Sequence, residues 1–136
     1  MKHLKPVHPM SEFRSDVDFI DKVEQGEIFR MDTLDCYGGV IRNNLDLRST
    51  AKIACMNPAT GPIRIEGVKA GDILEVEILE IDLADQGVMA MKDGFGPLGD
   101  LVEIEDMKVL PVRENKIFFD EHIVLEATPM IGVLGL

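Results

Sequence analysis

Ile73-Leu74-Glu75-Val76-Glu77-Ile78-Leu79-Glu80-Ile81-Asp82-Leu83 decides the fold class. Leu74, Val76 and Ile78 alternate with Glu75 and Glu77, a period of two that gives an extended chain one apolar and one acidic face. The phase then slips, and Leu79, Ile81 and Leu83 alternate with Glu80 and Asp82. A slip of one residue exchanges the faces, so the pattern predicts a β-bulge near Ile78-Leu79 or a strand passing from one sheet to another. The acidic residues do not recur at helical spacing, which argues against an amphipathic helix.

The β reading extends outward on both sides. Towards the N-terminus, Val17 and Phe19 alternate with Asp16 and Asp18, and Glu24-Gln25-Gly26-Glu27 turns the chain into a strand from Ile28 to Leu34. A short strand is expected over Ile63-Arg64-Ile65-Glu66, and residues 43 to 50 read as loop. Towards the C-terminus, strands are predicted around Leu101 to Glu105, Met107 to Val112, Lys116 to Phe119 and His122 to Glu126, with Asp120-Glu121 turning the last two into a hairpin. The chain closes on Ile131-Gly132-Val133-Leu134-Gly135-Leu136, an uncapped apolar edge of the kind that pairs with another chain. The expectation is one mostly β domain over residues 1–136, a sandwich or distorted barrel of short strands with glycine- and proline-rich loops, and homo-oligomers.

Composition narrows the function classes. Apolar residues make up 46% and charged residues 29%, which is globular rather than disordered. A formal net charge of −11 repels phosphate backbones, and no basic stretch with interleaved aromatics offsets it, so nucleic acid is not an expected partner. No apolar run is long enough to span a bilayer, and the N-terminus lacks the apolar core of a secretory signal. The expected location is cytoplasmic, with no membrane contact. Two cysteines, Cys36 and Cys55, are too few for a disulfide framework or a zinc ribbon, and Cys55 reads as a small buried thiol.

Candidate site residues come from the loops. Asp35 precedes Tyr37-Gly38-Gly39; its carboxylate can hold a metal, act as a base, or cap its own backbone in an Asx-turn. Asn57-Pro58-Ala59-Thr60-Gly61-Pro62 is a strongly dictated connection between β segments, in which Asn57 and Thr60 bond either nearby backbone or a ligand. Glu66 stands on the same strand face as Arg64, so it either pairs with Arg64 or supplies a second site carboxylate. Asp72, after Gly71, reads as a turn residue. His3 and His8 fall in an N-terminal arm expected to be mobile, and His122 lies next to Glu121, so the histidines form no ligand cluster. Gly94-x-Gly96-x-x-Gly99 spells a dinucleotide fingerprint but contains Pro97 and is not followed by a helix pattern, so it reads as a flexible or site-lining loop.

The segments Asn57-Pro58-Ala59-Thr60-Gly61-Pro62 with Glu66-Gly67 and Gly71-Asp72, Thr33-Leu34-Asp35-Cys36-Tyr37-Gly38-Gly39, Gly94-Phe95-Gly96-Pro97-Leu98-Gly99-Asp100 and Pro129-Met130-Ile131-Gly132-Val133-Leu134-Gly135 together resemble the acetamidase/formamidase family of linear-amide hydrolases, in order and spacing, across nearly the whole chain. Family members are longer, so the resemblance is to an N-terminal half. It implies hydrolysis of formamide or acetamide to a carboxylate and ammonia, assisted by a divalent metal such as Zn or Ca that polarises the amide oxygen and activates water. It implies Asp35 as metal ligand or catalytic carboxylate, Glu66 as a second acid, and Asn57 and Thr60 as substrate-positioning groups. The implied partners are a small amide and a separately encoded second half carrying the histidine-rich motifs. The other reading kept open is a non-catalytic β domain acting as an assembly subunit.

Overall fold

Strands in this computed structural model are short, and each owes its place to a few apolar residues meeting across a ladder. The structure describes residues 1–7 and 9–136; His8, read above with His3, lies outside the described residues. The chain divides into two compact units, one of Met1–Gly39, Ile53–Glu77 and Val133–Leu136, the other of Val40–Lys52 and Ile78–Gly132.

The first unit holds two parallel strand pairs. β1 (Lys2–Leu4) lies beside β3 (Phe29–Met31) with His3 opposite Arg30, and β2 (Asp21–Val23) lies beside β4 (Ile63–Ile65) with Val23 opposite Ile65. Leu4, Val23 and Tyr37 are its buried apolar residues. Parallel neighbours need long connections. Here residues 5 to 28 join the first pair, and a single bridge, Met10 to Ala59, ties part of that connection to the proline-rich loop.

The second unit is built on a four-stranded antiparallel sheet in the order β5 (Gln86–Met91), β6 (Asp106–Arg113), β7 (Lys116–Phe118), β8 (Val124–Glu126). Glu114 and Asn115 have φ of 50° and 58°, the doubly left-handed turn whose twist suits a two-residue hairpin between β6 and β7. Asp120 Oδ1 accepts the His122 and Ile123 N–H groups at 2.8 and 2.7 Å, which fixes the next turn. Ile41, Met107 and Leu110 are the buried apolar residues.

The β-rich expectation is met, in small open sheets rather than a closed barrel. Several local expectations are not. Ile73 to Leu83 joins no ladder among the described residues, because alternation supplies faces, not a neighbouring strand. Its phase slip, at Ile78-Leu79, falls one residue after the sequence boundary of the two units, between Glu77 and Ile78. The turn over residues 24–27 is present, yet it links β2 and β3, which belong to different sheets rather than to one hairpin. Residues 101 to 105 continue a 3₁₀ turn, Gly99–Leu101, into a loop. Residues 131–136 form no strand, and β5, whose Val88-Met89-Ala90-Met91 lacks alternation, was not expected. His3 is in β1, not in a mobile arm. No helix among the described residues is long and apolar enough to cross a membrane.

Candidate functional site

The loop after β3 is built around Asp35. Its Oδ1 accepts the Tyr37 and Gly39 N–H groups, each at 2.8 Å, while the Gly38 N–H reaches the Asp35 carbonyl at 2.9 Å. Gly38 and Gly39 have φ of 68° and 72°, a region glycine enters without a Cβ penalty. The Asx-turn therefore forms, using one carboxylate oxygen. The other, Oδ2, makes no hydrogen bond among the described residues, and the side chain is exposed.

The proline-rich loop comes to the same place. The Asn57 N–H donates to the Cys36 carbonyl at 2.8 Å, and Pro58 is buried, 4.0 Å from where a Cβ on Gly38 would stand. Asn57 sits at φ 51°, a left-handed conformation that asparagine tolerates. Its exposed carboxamide makes no hydrogen bond among the described residues. Thr60 Oγ1 donates to the Asp32 carbonyl at 3.0 Å. Two segments more than twenty positions apart in sequence thus form one cluster containing Asp35, Asn57 and Thr60.

Sequence reading missed the group next to them. His3 Nε2 lies 2.7 Å from Asp32 Oδ1, and both side chains are partly exposed. The ring hydrogen bond holds the Asp32 carboxyl below the usual carboxylate range, outweighing an opposing desolvation, with further help from the nearby charges of His3, Arg30 and Lys5. The pairing follows from β1 lying beside β3, with the Asp32 N–H donating to the Leu4 carbonyl at 2.9 Å. No local sequence signal could have found it.

Glu66 lies elsewhere in this unit. Its carboxylate is 3.4 Å from Arg64 Nε and 3.9 Å from Lys22 Nζ, so the expected pairing with Arg64 is made. Its partners, which include the Val23 carbonyl for its N–H and Gln25 for its own carbonyl, are not those of the Asp35 cluster. Asp72 Oδ2 accepts the Lys69 N–H at 2.8 Å and is the turn residue it was read to be. Cys55 is half-buried rather than buried, and Cys36 is exposed.

In the second unit, the loop of Gly94, Gly96 and Gly99 folds back on itself, with the Gly94 N–H donating to the Gly99 carbonyl at 3.3 Å. It opens onto a 3₁₀ turn rather than an α-helix, which removes the dinucleotide reading. Phe95 carries Arg48 at 4.5 Å and Lys92 at 5.5 Å from its ring centre.

Among the described residues, no three His, Cys, Asp or Glu side chains converge as a metal centre would require. Asp35 offers one free oxygen and His3 one ring nitrogen. The described residues do not by themselves fit a metal.

A profile of the acetamidase/formamidase family matches residues 3–135. The chain belongs to the acetamidase/formamidase family. Over 99 residues it is 31% identical to a formamidase of Methylophilus methylotrophus, a match covering 66% of this chain and 24% of that protein. The crystal structure of an acetamidase from Bacillus halodurans matches with a TM-score of 0.90 and 30% identity, covering 96% of this chain and 44% of that one. A predicted acetamidase/formamidase from the thermophile Thermoanaerobacter tengcongensis matches with a TM-score of 0.85 and 36% identity, covering 97% and 45%. This acetamidase/formamidase chain therefore spans less than half the length of these relatives.

Proposed function

We propose that this chain carries one part of the active site of an amidohydrolase acting on short linear amides, formamide or acetamide, in the cytoplasm. The observation that supports the reading is the convergence of the Asp35 loop and the Asn57 to Thr60 loop through the Asn57–Cys36 hydrogen bond. Both loops belong to a chain of the acetamidase/formamidase family.

Water adds to the amide carbon, the C–N bond breaks, and the nitrogen leaves as ammonia once it has gained a proton. The reaction needs a group to take a proton from water and groups to orient a flat, neutral amide. The Asn57 carboxamide has one acceptor and two donor hydrogens, complementary to the NH₂ and C=O of a primary amide. Asp35 Oδ2 can accept from the same NH₂ or from water. His3, held by Nε2 against Asp32 Oδ1, is assigned as the base. Thr60 orients that pair by holding the Asp32 backbone. Glu66 is assigned a supporting role through Arg64 and Lys22 rather than contact with substrate.

We further propose that the rest of the site comes from the part of the family fold outside this chain's match, and that a divalent metal such as Zn or Ca would need ligands from there. The test is ammonia release from formamide and acetamide by this chain, alone and combined with that remaining part. Activity only in the combination is expected. Activity of the chain alone would overturn the divided site. Inactivity of a folded combination supplied with Zn²⁺ would leave the second reading, an assembly subunit, which the 98% exposed Ile73 and 90% exposed Leu136 favour.

A further inference from the structure

Among the described residues, the segment with the strongest strand pattern in the chain has no strand beside it. From Ile73 to Glu77 no backbone N–H or carbonyl is hydrogen-bonded to another backbone group among the described residues; the nearest such bond upstream joins the Asp72 N–H to the Lys69 carbonyl. Ile73 is 98% and Val76 50% exposed, and Glu75 and Glu77 are exposed as well. A segment whose sequence alternates apolar and acidic residues and whose backbone hydrogen-bonding groups are open is a template for strand addition.

Beside this edge runs an open groove of about 480 Å³, lined by Phe19, Ile65, Val68, Ile73, Leu74 and Leu136 among others. Phe19, Val68 and Leu136 are exposed in it. In strand addition the main chain provides affinity, and a pocket for alternate side chains provides selection. The groove is such a pocket, with room for one or two large apolar side chains.

We propose that Ile73–Glu77 is a docking edge for a β-strand from the part of the acetamidase/formamidase fold outside this chain's match, a strand with apolar residues for the groove and Lys or Arg opposite Glu75 and Glu77. Three observations select this occupant. In both solved relatives more than half of the polypeptide lies outside the matched part, so the fold contains further chain that can cover this edge. The edge is acidic within a chain of net charge −11, which disfavours a second copy and favours a basic strand. The groove adjoins the edge, so one strand can use both. The inference rests on family membership and on the divided fold, not on catalysis.

The experiment is hydrogen–deuterium exchange on the 136-residue chain, alone and with the remainder of the Bacillus halodurans acetamidase expressed as a separate polypeptide. The amides of residues 73–77 should exchange fast alone and slow by about tenfold or more in the complex. Successive N–H groups of a strand point to opposite sides, so, with Glu75→Gln as the control for the lost charge, Glu75→Pro and Val76→Pro should differ by about tenfold or more in their effect on binding. Unchanged protection of β2 and β4 reports that each variant is folded. Binding without protection of residues 73–77, equal effects of the two prolines in folded chains, or no binding at micromolar concentration would overturn the proposal. Protection that rises with the concentration of this chain alone would assign the edge to a second copy and overturn it too. Amide hydrolysis is not read, so a protected but inactive complex refutes the catalytic reading alone.

Discussion

Asp35 holds its own loop and, in the proposed site, also faces the substrate, and substitution separates the two. Asp35→Ala removes the acceptor of two N–H hydrogen bonds, from Tyr37 and Gly39, each at 2.8 Å. Asp35→Asn keeps an oxygen at the same place and removes only the charge and the second acceptor. A bond to a charged acceptor is worth about 1.5–3 kcal/mol when buried, and an exposed one less, so the alanine variant should lose about 1–2 kcal/mol. At this chain length that is a fall of roughly 4–8 °C in midpoint temperature. The asparagine variant should stay within about 0.5 kcal/mol of the parent. Formamide-dependent ammonia release, measured on the chain combined with the rest of the family fold, should fall about a hundredfold or more in both. Thermal unfolding and the ammonia assay together decide. An Asp35→Asn chain as unstable as Asp35→Ala, or one that is stable and fully active, would refute the reasoning, the first for the turn and the second for the site.

Three further outcomes follow from particular contacts. The Asp32 carboxyl is held below its ordinary range by His3, so this pair stabilises the fold above the unfolded carboxyl value, near pH ~4, and the contribution is lost as pH falls through the lower folded value. His3→Ala should therefore flatten the acid side of the stability profile, read as midpoint temperature against pH, and an unchanged profile would contradict the pairing. A Cβ on Gly99 would stand 2.7 Å from the Gly94 carbonyl carbon, a backbone atom that cannot swing aside, so Gly99→Ala should cost about 1–3 kcal/mol in urea unfolding, and equal or greater stability would refute that close approach. Thr60→Val keeps shape but loses the bond to the Asp32 carbonyl; it should lower stability by about 1 kcal/mol and kcat more than KM, and an effect on KM alone would move Thr60 from positioning to substrate binding.

What could be read in the sequence was local. β4, and the run from β6 to β8, announce themselves because short apolar alternation is bounded by turn residues such as Asn115 and Asp120. The Asn57 to Gly61 connection is legible because Asn57 and Gly61 hold φ of 51° and 141°, values that few residues accept. What could not be read was long-range. The β1–β3 and β2–β4 pairs join segments 27 to 42 positions apart, and nothing within either segment names its partner. The His3–Asp32 contact inherits that blindness, being 29 positions apart. The segment from Ile73 to Leu83 shows the converse: its alternation is sound, but a strand also needs a neighbour. Asp35, Asn57 and Thr60 were found as types of residue in types of loop; only the fold brings their two loops together.

The central claim is that the Asp35 and Asn57 loops together bind a primary amide for hydrolysis. Its most direct measurement is steady-state ammonia release from formamide by this chain combined with the rest of the acetamidase/formamidase fold, with Asn57→Ala run in parallel. The expected result is release by the parent combination and a rise of about tenfold or more in KM for Asn57→Ala at unchanged thermal stability. Parent release that Asn57→Ala leaves untouched, or none at all from a folded combination, would contradict it.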